Sequence, residues 1–177
     1  QRTLAALDRL SPRELANEQH LDRLALRSML LKECEDFARG RHALEPNAPE
    51  HVLNILFHEL MRGDDQPPRA ARNLRSLLRQ APGFLDEAGR LLATPERVWL
   101  RVMEQTVDGA TALLRGTETF LARVNPQPED AALVQATDKA LHRYRNQARL
   151  LPLAPAGSFA VGAGTLQRRV RDELGLD

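Results

Sequence analysis

The sequence predicts an all-α domain, an irregular bundle of six to seven helices, on three observations. Aromatic residues are only 4% of a chain that is 42% hydrophobic, so Leu, Ala and Val must supply the core, a palette that favours helices over sheets. Apolar residues recur at intervals of three and four over long stretches. Pro and Gly clusters cut those stretches at short intervals, as helix boundaries do. A length of 177 residues, 28% of them charged, fits one folded domain over 1–177 with a single core.

Ser11-Pro12-Arg13-Glu14 has the form of a capping box, with Pro12 in the first helical position and Glu14 reaching back. The helix it starts is expected to run to about residue 39, with Leu26, Leu30, Cys34 and Phe37 as its apolar stripe and Gly40 as its stop. Residues 41–49 read as a loop, since Pro46, Asn47 and Pro49 fall there. A second helix is expected over about 50–62, ended by Gly63-Asp64-Asp65 and Pro67-Pro68. Residues 69–100 read as a helix stopped at Pro82-Gly83, a second helix, and a fresh start at Thr94-Pro95 with Thr94 as cap. Leu74 and Leu78, then Phe84, Leu85, Ala88, Leu91 and Leu92, supply their apolar faces.

The longest helix is expected after Pro95, on the stripe Val102, Thr106, Ala110, Leu113, Thr117, Phe120 and Val124. Gly109 and Gly116 weaken it by roughly 1 kcal/mol each unless another helix packs closely there. Asn125-Pro126-Gln127-Pro128 separates it from a helix carrying Leu133, Thr137, Leu141, Tyr144, Ala148 and Leu151. An irregular connector over 152–164 follows, then a short amphipathic helix with Leu166, Val170 and Leu174.

A net charge of +1 gives no whole-protein field to draw nucleic acid or an anionic membrane. No apolar run approaches the ~20 residues that cross a bilayer. Cys34 is the sole cysteine, which excludes an internal disulfide and a four-cysteine zinc site. His58-Glu59 resembles the start of a helical zinc motif, but Arg62 stands where the second His ligand belongs. Arg69, Arg72, Arg75 and Arg79 fall on one side of a helix and form a candidate basic patch. Its plainer reading is a solvated or ion-paired face, with Asp64, Asp65, Asp86 and Glu87 as partners. Cys34 has five histidines as conceivable bases, yet its apolar neighbours point to a packed thiol. Trp99 reads as a core or interface anchor. Residues 157–164 lack the Lys-Ser/Thr of a phosphate loop. They form an extended connector in which Phe159 and Val161 share a side and Gly162 allows close approach. No ligand set for a metal or cofactor and no nucleophile–base pair is assembled.

Arg72-Asn73-Leu74, Leu77-Leu78, Ala81-Pro82-Gly83-Phe84-Leu85, Ala88 and Leu91-Leu92 together make a pattern that is similar to an uncharacterised bacterial family of predicted zinc peptidases, over its N-terminal half. Asp108-Gly109, Leu151-Pro152, Gly157, Phe159-Ala160-Val161-Gly162 and the closing Glu173-Leu174-Gly175-Leu176-Asp177 extend the similarity. That family resembles, distantly, the helical cleft peptidases typified by angiotensin-converting enzyme and thimet oligopeptidase. The resemblance implies that this chain is a non-catalytic wall or lid of a larger zinc metallopeptidase. Zinc and its His-Glu helix would then belong to a downstream catalytic half, and that half or a peptide substrate would be the partner. On this view 152–164 lines the channel or anchors the chain through Phe159, Val161 and Gly162. Gln1 at the start and Gly-Leu-Asp at the end fit an excerpt of such a parent. The alternative is a stand-alone helical protein-interaction or scaffold module, with nucleic-acid binding through the Arg69, Arg72, Arg75 and Arg79 patch a distant third.

Overall fold

A computed structural model describes residues 2–11, 15–158 and 160–174, with side chains to Arg171. It is all-α: α1 (Arg2–Asp8), α2 (Asn17–Ala38), α3 (Ala48–Met61), α4 (Pro67–Leu91), α5 (Arg97–Val124), α6 (Asp130–Arg149) and α7 (Ala163–Leu174), with a 3-10 turn at Arg41–Ala43. Among the described residues there is no strand. The helices fall into two compact units, one of α1, α2 and α7 and one of α3–α6 over Ala43–Ser158.

In the first unit α2 begins at Asn17, later than the expected start, and the capping-box residues Pro12, Arg13 and Glu14 lie outside the described residues. Gln19 Oε1 accepts from the Ala16 N–H at 3.1 Å, half of a capping box, because Ala16 has no side-chain oxygen to return. Gly40 ends the helix with φ +71, the left-handed conformation that glycine adopts without strain. The stripe expected on α2 is not a buried one: Phe37 is 69% exposed and stacks on His42, and Cys34 is half-buried. Polar groups join α7 to α2 instead. Glu35 takes Arg168 at 3.1 Å and Arg169 at 3.2 Å, Asp36 takes Lys32 at 2.9 Å and also Arg169, and Arg39 reaches the Thr165 hydroxyl. The arginines and the lysine hold both carboxyls below their usual range against the opposing effect of burial.

The second unit is a four-helix bundle with one diagonal connection. Asn73 Nδ2 on α4 bonds Glu59 on α3 at 2.9 Å. Gln147 reaches Gly89 and Arg143 reaches Asp86, so α6 runs parallel to α4. Arg145–Asp108 and Arg149–Glu104 make α6 antiparallel to α5. The packed neighbours are α3 with α4, α4 with α6, α6 with α5, and α5 with α3. The 92–96 link from α4 to α5 therefore crosses the end of the bundle. Leu92, Pro95 and Glu96 are buried in it, and a buried link must satisfy its own backbone. Ala93 and Thr94 N–H donate to the Ala43 carbonyl and Glu96 N–H to that of Leu44, each at 3.0 Å, while Pro95 C=O accepts from Ala154 at 3.1 Å.

Proline placement differs from expectation in two ways. Pro49 and Pro67 open α3 and α4, where the missing amide is no loss. Pro82 lies inside a continuous α4 and does not end it. Its absent N–H frees the carbonyl four residues back, that of Leu78, and the Thr137 hydroxyl of α6 lies 3.3 Å from this oxygen. Thr137 is fully buried and also 3.0 Å from Leu133 C=O, a three-centre arrangement around one proton. Because the helix does not break, its phase carries through Leu74, Leu78, Ala81 and Leu85 to Gly89. Phe84 and Leu91, expected on the core face, are 46% and 51% exposed.

The longest helix is α5, as expected, with 28 residues. It starts at Arg97 with Glu96 as cap, not Thr94; Glu96 Oε2 accepts from Val98 N–H at 3.5 Å and Oε1 from Gly157 N–H at 3.0 Å. Its buried residues are Met103, Val107, Ala110, Leu114, Thr117, Phe120 and Leu121, so Ala110, Thr117 and Phe120 of the stripe read off the sequence lie in the core, while Val102 is 39% exposed and Thr106 and Leu113 are half-buried. In α6 Thr137, Leu141, Tyr144 and Ala148 are buried as expected.

Replacing Thr137 by Val leaves the Leu78 carbonyl buried without a donor and should cost about 1–2 kcal/mol. In a Pro82→Ala background residue 82 supplies that donor, and the cost should fall by at least ~0.5 kcal/mol in a double-mutant cycle. Urea unfolding of the four proteins checks this, and an equal cost in both backgrounds would show that Thr137 acts elsewhere.

Candidate interaction surface

α5 is apolar over a wider arc than the core covers. Beside its buried row runs a second one, Val98, Trp99, Val102, Thr106, Gly109, Leu113 and Gly116, on the flank facing α3. Val98, Trp99 and Val102 are 42%, 36% and 39% exposed. A Cβ added at Gly109 or Gly116 would meet no atom within 4 Å, so the space above both is open. Among the described residues no helix packs closely over either glycine.

α3 forms the opposite bank. Its start lies beside the start of α5, since Pro46, Asn47 and Glu50 share a cavity of about 280 Å³ with Trp99, Val102 and Met103. Just past its end, a Cβ on Gly63 would stand 2.6 Å from the Phe120 ring, so α3 runs parallel to α5 and only glycine fits at that crossing. From Glu50 the same flank of α3 continues at steps of four, three and four through Asn54, Phe57 and Met61. Phe57 and Met61 are 49% and 65% exposed. The two seams of α6 are laced by charge: Arg79–Glu129 at 3.0 Å and Arg143–Asp86 at 2.9 Å beside α4 and α6, Arg145–Asp108 at 2.6 Å and Arg149–Glu104 at 2.5 Å between α5 and α6, while α3 and α4 are joined by the Asn73–Glu59 hydrogen bond. Among the described residues no ion pair joins α3 to α5.

The residues singled out from sequence do not converge on this groove. The four arginines of the candidate patch are not one exposed stripe. Arg75 is only 5% exposed; its guanidinium grips Asp130 at 2.7 and 2.9 Å and also donates to the Asn125 carbonyl. Arg79 pairs with Glu129, Arg69 donates to Gln66 Oε1 at 3.3 Å, and Arg72 is exposed. The partners differ from those expected as well, since Asp86 takes Arg143 and Glu87 takes Arg90. Arg75 lies on the Leu74–Leu78 side of α4, close enough to the core to be enclosed, and its pair with Asp130 and that of Arg79 with Glu129 fit the ion-paired reading of this face. Arg75 holds the Asp130 carboxyl below its usual range, against burial and with help from the Gln127 N–H.

His58 is exposed on α3, with its ring edge on Phe57. Among the described residues no group of three His, Cys, Asp or Glu is placed to hold a metal. Of the connector residues, Phe159 lies outside the described residues. Val161 is half-buried, and its carbonyl accepts from Arg39 at 3.4 Å. Gly162, at φ +78, receives the Leu166 N–H at 3.1 Å and so opens α7. Glu96 was missed in the sequence, where a Thr-Pro pair outranks a Glu as a start signal. Comparison with family models, curated proteins and solved structures finds no match.

The depressed pKa of Asp130 carries a sign. Its contribution is fully present above the unfolded carboxylate value of about 4 and is lost as pH falls through the lower folded value. Asp130→Asn leaves Arg75 buried without its counter-charge and should cost about 3–5 kcal/mol near neutral pH. The gap between wild type and variant should narrow below about pH 4, as wild type itself becomes protonated. Denaturant unfolding across that range tests it, and a gap independent of pH would refute the assignment.

Proposed function

We propose that this chain is a non-catalytic helical interaction module whose α3–α5 groove receives an apolar helix from another polypeptide. The observation that carries this reading is the exposed second row on α5. The row from Val98 to Gly116 is apolar, unlaced by charge, and floored by two glycines that no element of the second unit approaches. From Val98 to Gly116 the row covers 19 residues of α5, 18 steps of about 1.5 Å or about 27 Å, about five turns of a partner helix. Gly109 and Gly116 would let that partner's backbone come close. A groove of this kind is read by apolar anchors spaced at three and four.

A second reading names the partner. The similarity over 72–92 and in the connector favours the catalytic half of a zinc peptidase, to which this chain would contribute a wall or lid. The described residues offer no metal-ligand group, so on that reading zinc and the general base are supplied by the rest of the parent.

A photo-crosslinking residue in place of Val102 should give a discrete adduct in the source cells, and the same residue in place of Lys139 on α6 should not. Mass spectrometry of the adduct decides the second reading, because a peptide from a polypeptide with a zinc-binding His-Glu helix supports it and any other partner removes it. Identical products at both positions would overturn the groove itself. Gly109→Ala and Gly116→Ala should each raise stability by about 0.5–1 kcal/mol while reducing the Val102 adduct. Stability gained with an unchanged adduct would show that the partner does not sit over the glycines.

A further inference from the structure

We propose that the α3–α5 groove is occupied by the same groove of a second copy of this chain, with the two α5 helices antiparallel about a twofold axis. The proposal rests on the groove reading above and deepens it by naming the partner. Its ground is the spacing and size of the exposed row. Trp99, Val102, Thr106, Gly109, Leu113 and Gly116 follow at steps of three, four, three, four and three, the heptad pattern of a helix that packs on another helix. That series reads the same in both directions. In an antiparallel pair centred between Val107 and Asp108, each member therefore faces a member of the same row in the other copy. Trp99 faces Gly116, Val102 faces Leu113, and Thr106 faces Gly109.

The sizes along the row fit this pairing. Its bulkiest residue, Trp99, meets one glycine and Thr106 meets the other, and the space above both glycines is open. A parallel twofold pair would set each residue on its own copy, with tryptophan against tryptophan at one level and glycine against glycine at two. That arrangement crowds one layer and leaves voids in two others. The residues beside the row on its outer flank, Gln105, Ala112 and Thr119, are exposed and uncharged, so no like charges are brought together there. From Trp99 to Gly116 the row runs about 26 Å, and α3 and α5 together are about 20 Å wide. Phe57 and Met61 of α3, 49% and 65% exposed, extend the apolar surface across that width. Each copy would cover about 500 Å² and the pair about 1,000 Å², the lower limit for a specific interface. An area of that size fits a reversible dimer with a dissociation constant on the order of 10 μM.

Sedimentation velocity of the intact, reduced chain from about 1 to about 300 μM should show a monomer–dimer transition. Gly109→Leu should weaken the dimer roughly tenfold or more. Its melting temperature should not fall, because the new side chain enters open space and leucine favours a helix. Orientation is read by disulfide trapping in a Cys34→Ser background. Chains with Val102→Cys and chains with Leu113→Cys, oxidised as a mixture, should give the mixed disulfide in preference to either self-linked product. Two copies of the Val102→Cys chain would be separated by 11 residues of helix, about 16 Å, beyond the ~7 Å between Cα atoms that a disulfide spans. A monomer throughout the concentration range, a dimer unaffected by Gly109→Leu, or a self-linked Val102→Cys chain as the main product would each overturn the proposal. A Val102 photo-adduct with a different polypeptide, found while the chain itself stays monomeric, would leave the groove reading standing and remove the second copy as its occupant.

Discussion

Arg75 and Asp130 fix the geometry on which the α3–α6 bundle depends. Arg75 projects from α4, Asp130 is the first residue of α6, and the Asn125 carbonyl that shares the guanidinium caps the end of α5. One side chain thus joins three helices, and Asp130 also accepts from the Gln127 N–H in the turn between α5 and α6 at 2.9 Å. Only a planar fork can make the two parallel bonds and still reach the carbonyl, so lysine is no substitute. A buried pair of this kind adds little net stability over an apolar pair of the same shape, because both charges are taken from water. Its effect is on register. With Arg75 set on Asp130, the parallel run of α4 and α6 brings Leu78 to Thr137, Asp86 to Arg143 and Gly89 to Gln147.

Thr137 then matters because of Pro82. A proline in mid-helix removes one donor and can cost about 3 kcal/mol, and here the uncovered carbonyl faces the one polar side chain of α6 able to reach it. Glu96 does similar work at the other end of the bundle. The diagonal connection buries backbone, and the Glu96 carboxylate takes the α5 amide of Val98 and the amide of Gly157. In each case a polar side chain from a distant stretch of sequence completes hydrogen bonding that the local chain leaves open.

That distance explains what the sequence made legible. The all-α class, the length of α5, the break at Asn125–Pro128 and the buried positions of α6 follow from periodicity and breakers, which act within a few residues. The continuity of α4 does not, because Thr137 stands 59 residues from Leu78 and no local rule counts it. The enclosure of Arg75 was hidden for the same reason, since a helical wheel places an arginine beside a core edge without showing whether a neighbouring helix closes over it. The short α1, with no buried residue, carries no periodic signal. On α5 the stripe was read as one face, though it contains two: the row that the core takes and the row beside α3. Periodicity gives the axis of a wide apolar arc but cannot show which of its edges is enclosed. The groove was therefore visible in the sequence as hydrophobicity and invisible as a surface.

The contrast between seams is what singles out that second row. The bundle has four outer seams, and a helix pair that meets only water along its edge gains by placing long charged side chains there, which cover apolar stems and keep their heads solvated. The seams of α6 follow this rule with an arginine at each station. The α3–α5 seam follows the opposite rule, with Trp99, Val102, Phe57 and Met61 along its edges and glycine where an arginine or lysine would have favoured the helix. Glycine at 109 and 116 lowers the stability of α5 and gives nothing back within the α3–α6 unit. An exposed apolar edge likewise has a cost in solubility. Two features that each disfavour the isolated bundle coincide on the same face of the same helix, and both become favourable once another helix lies along it.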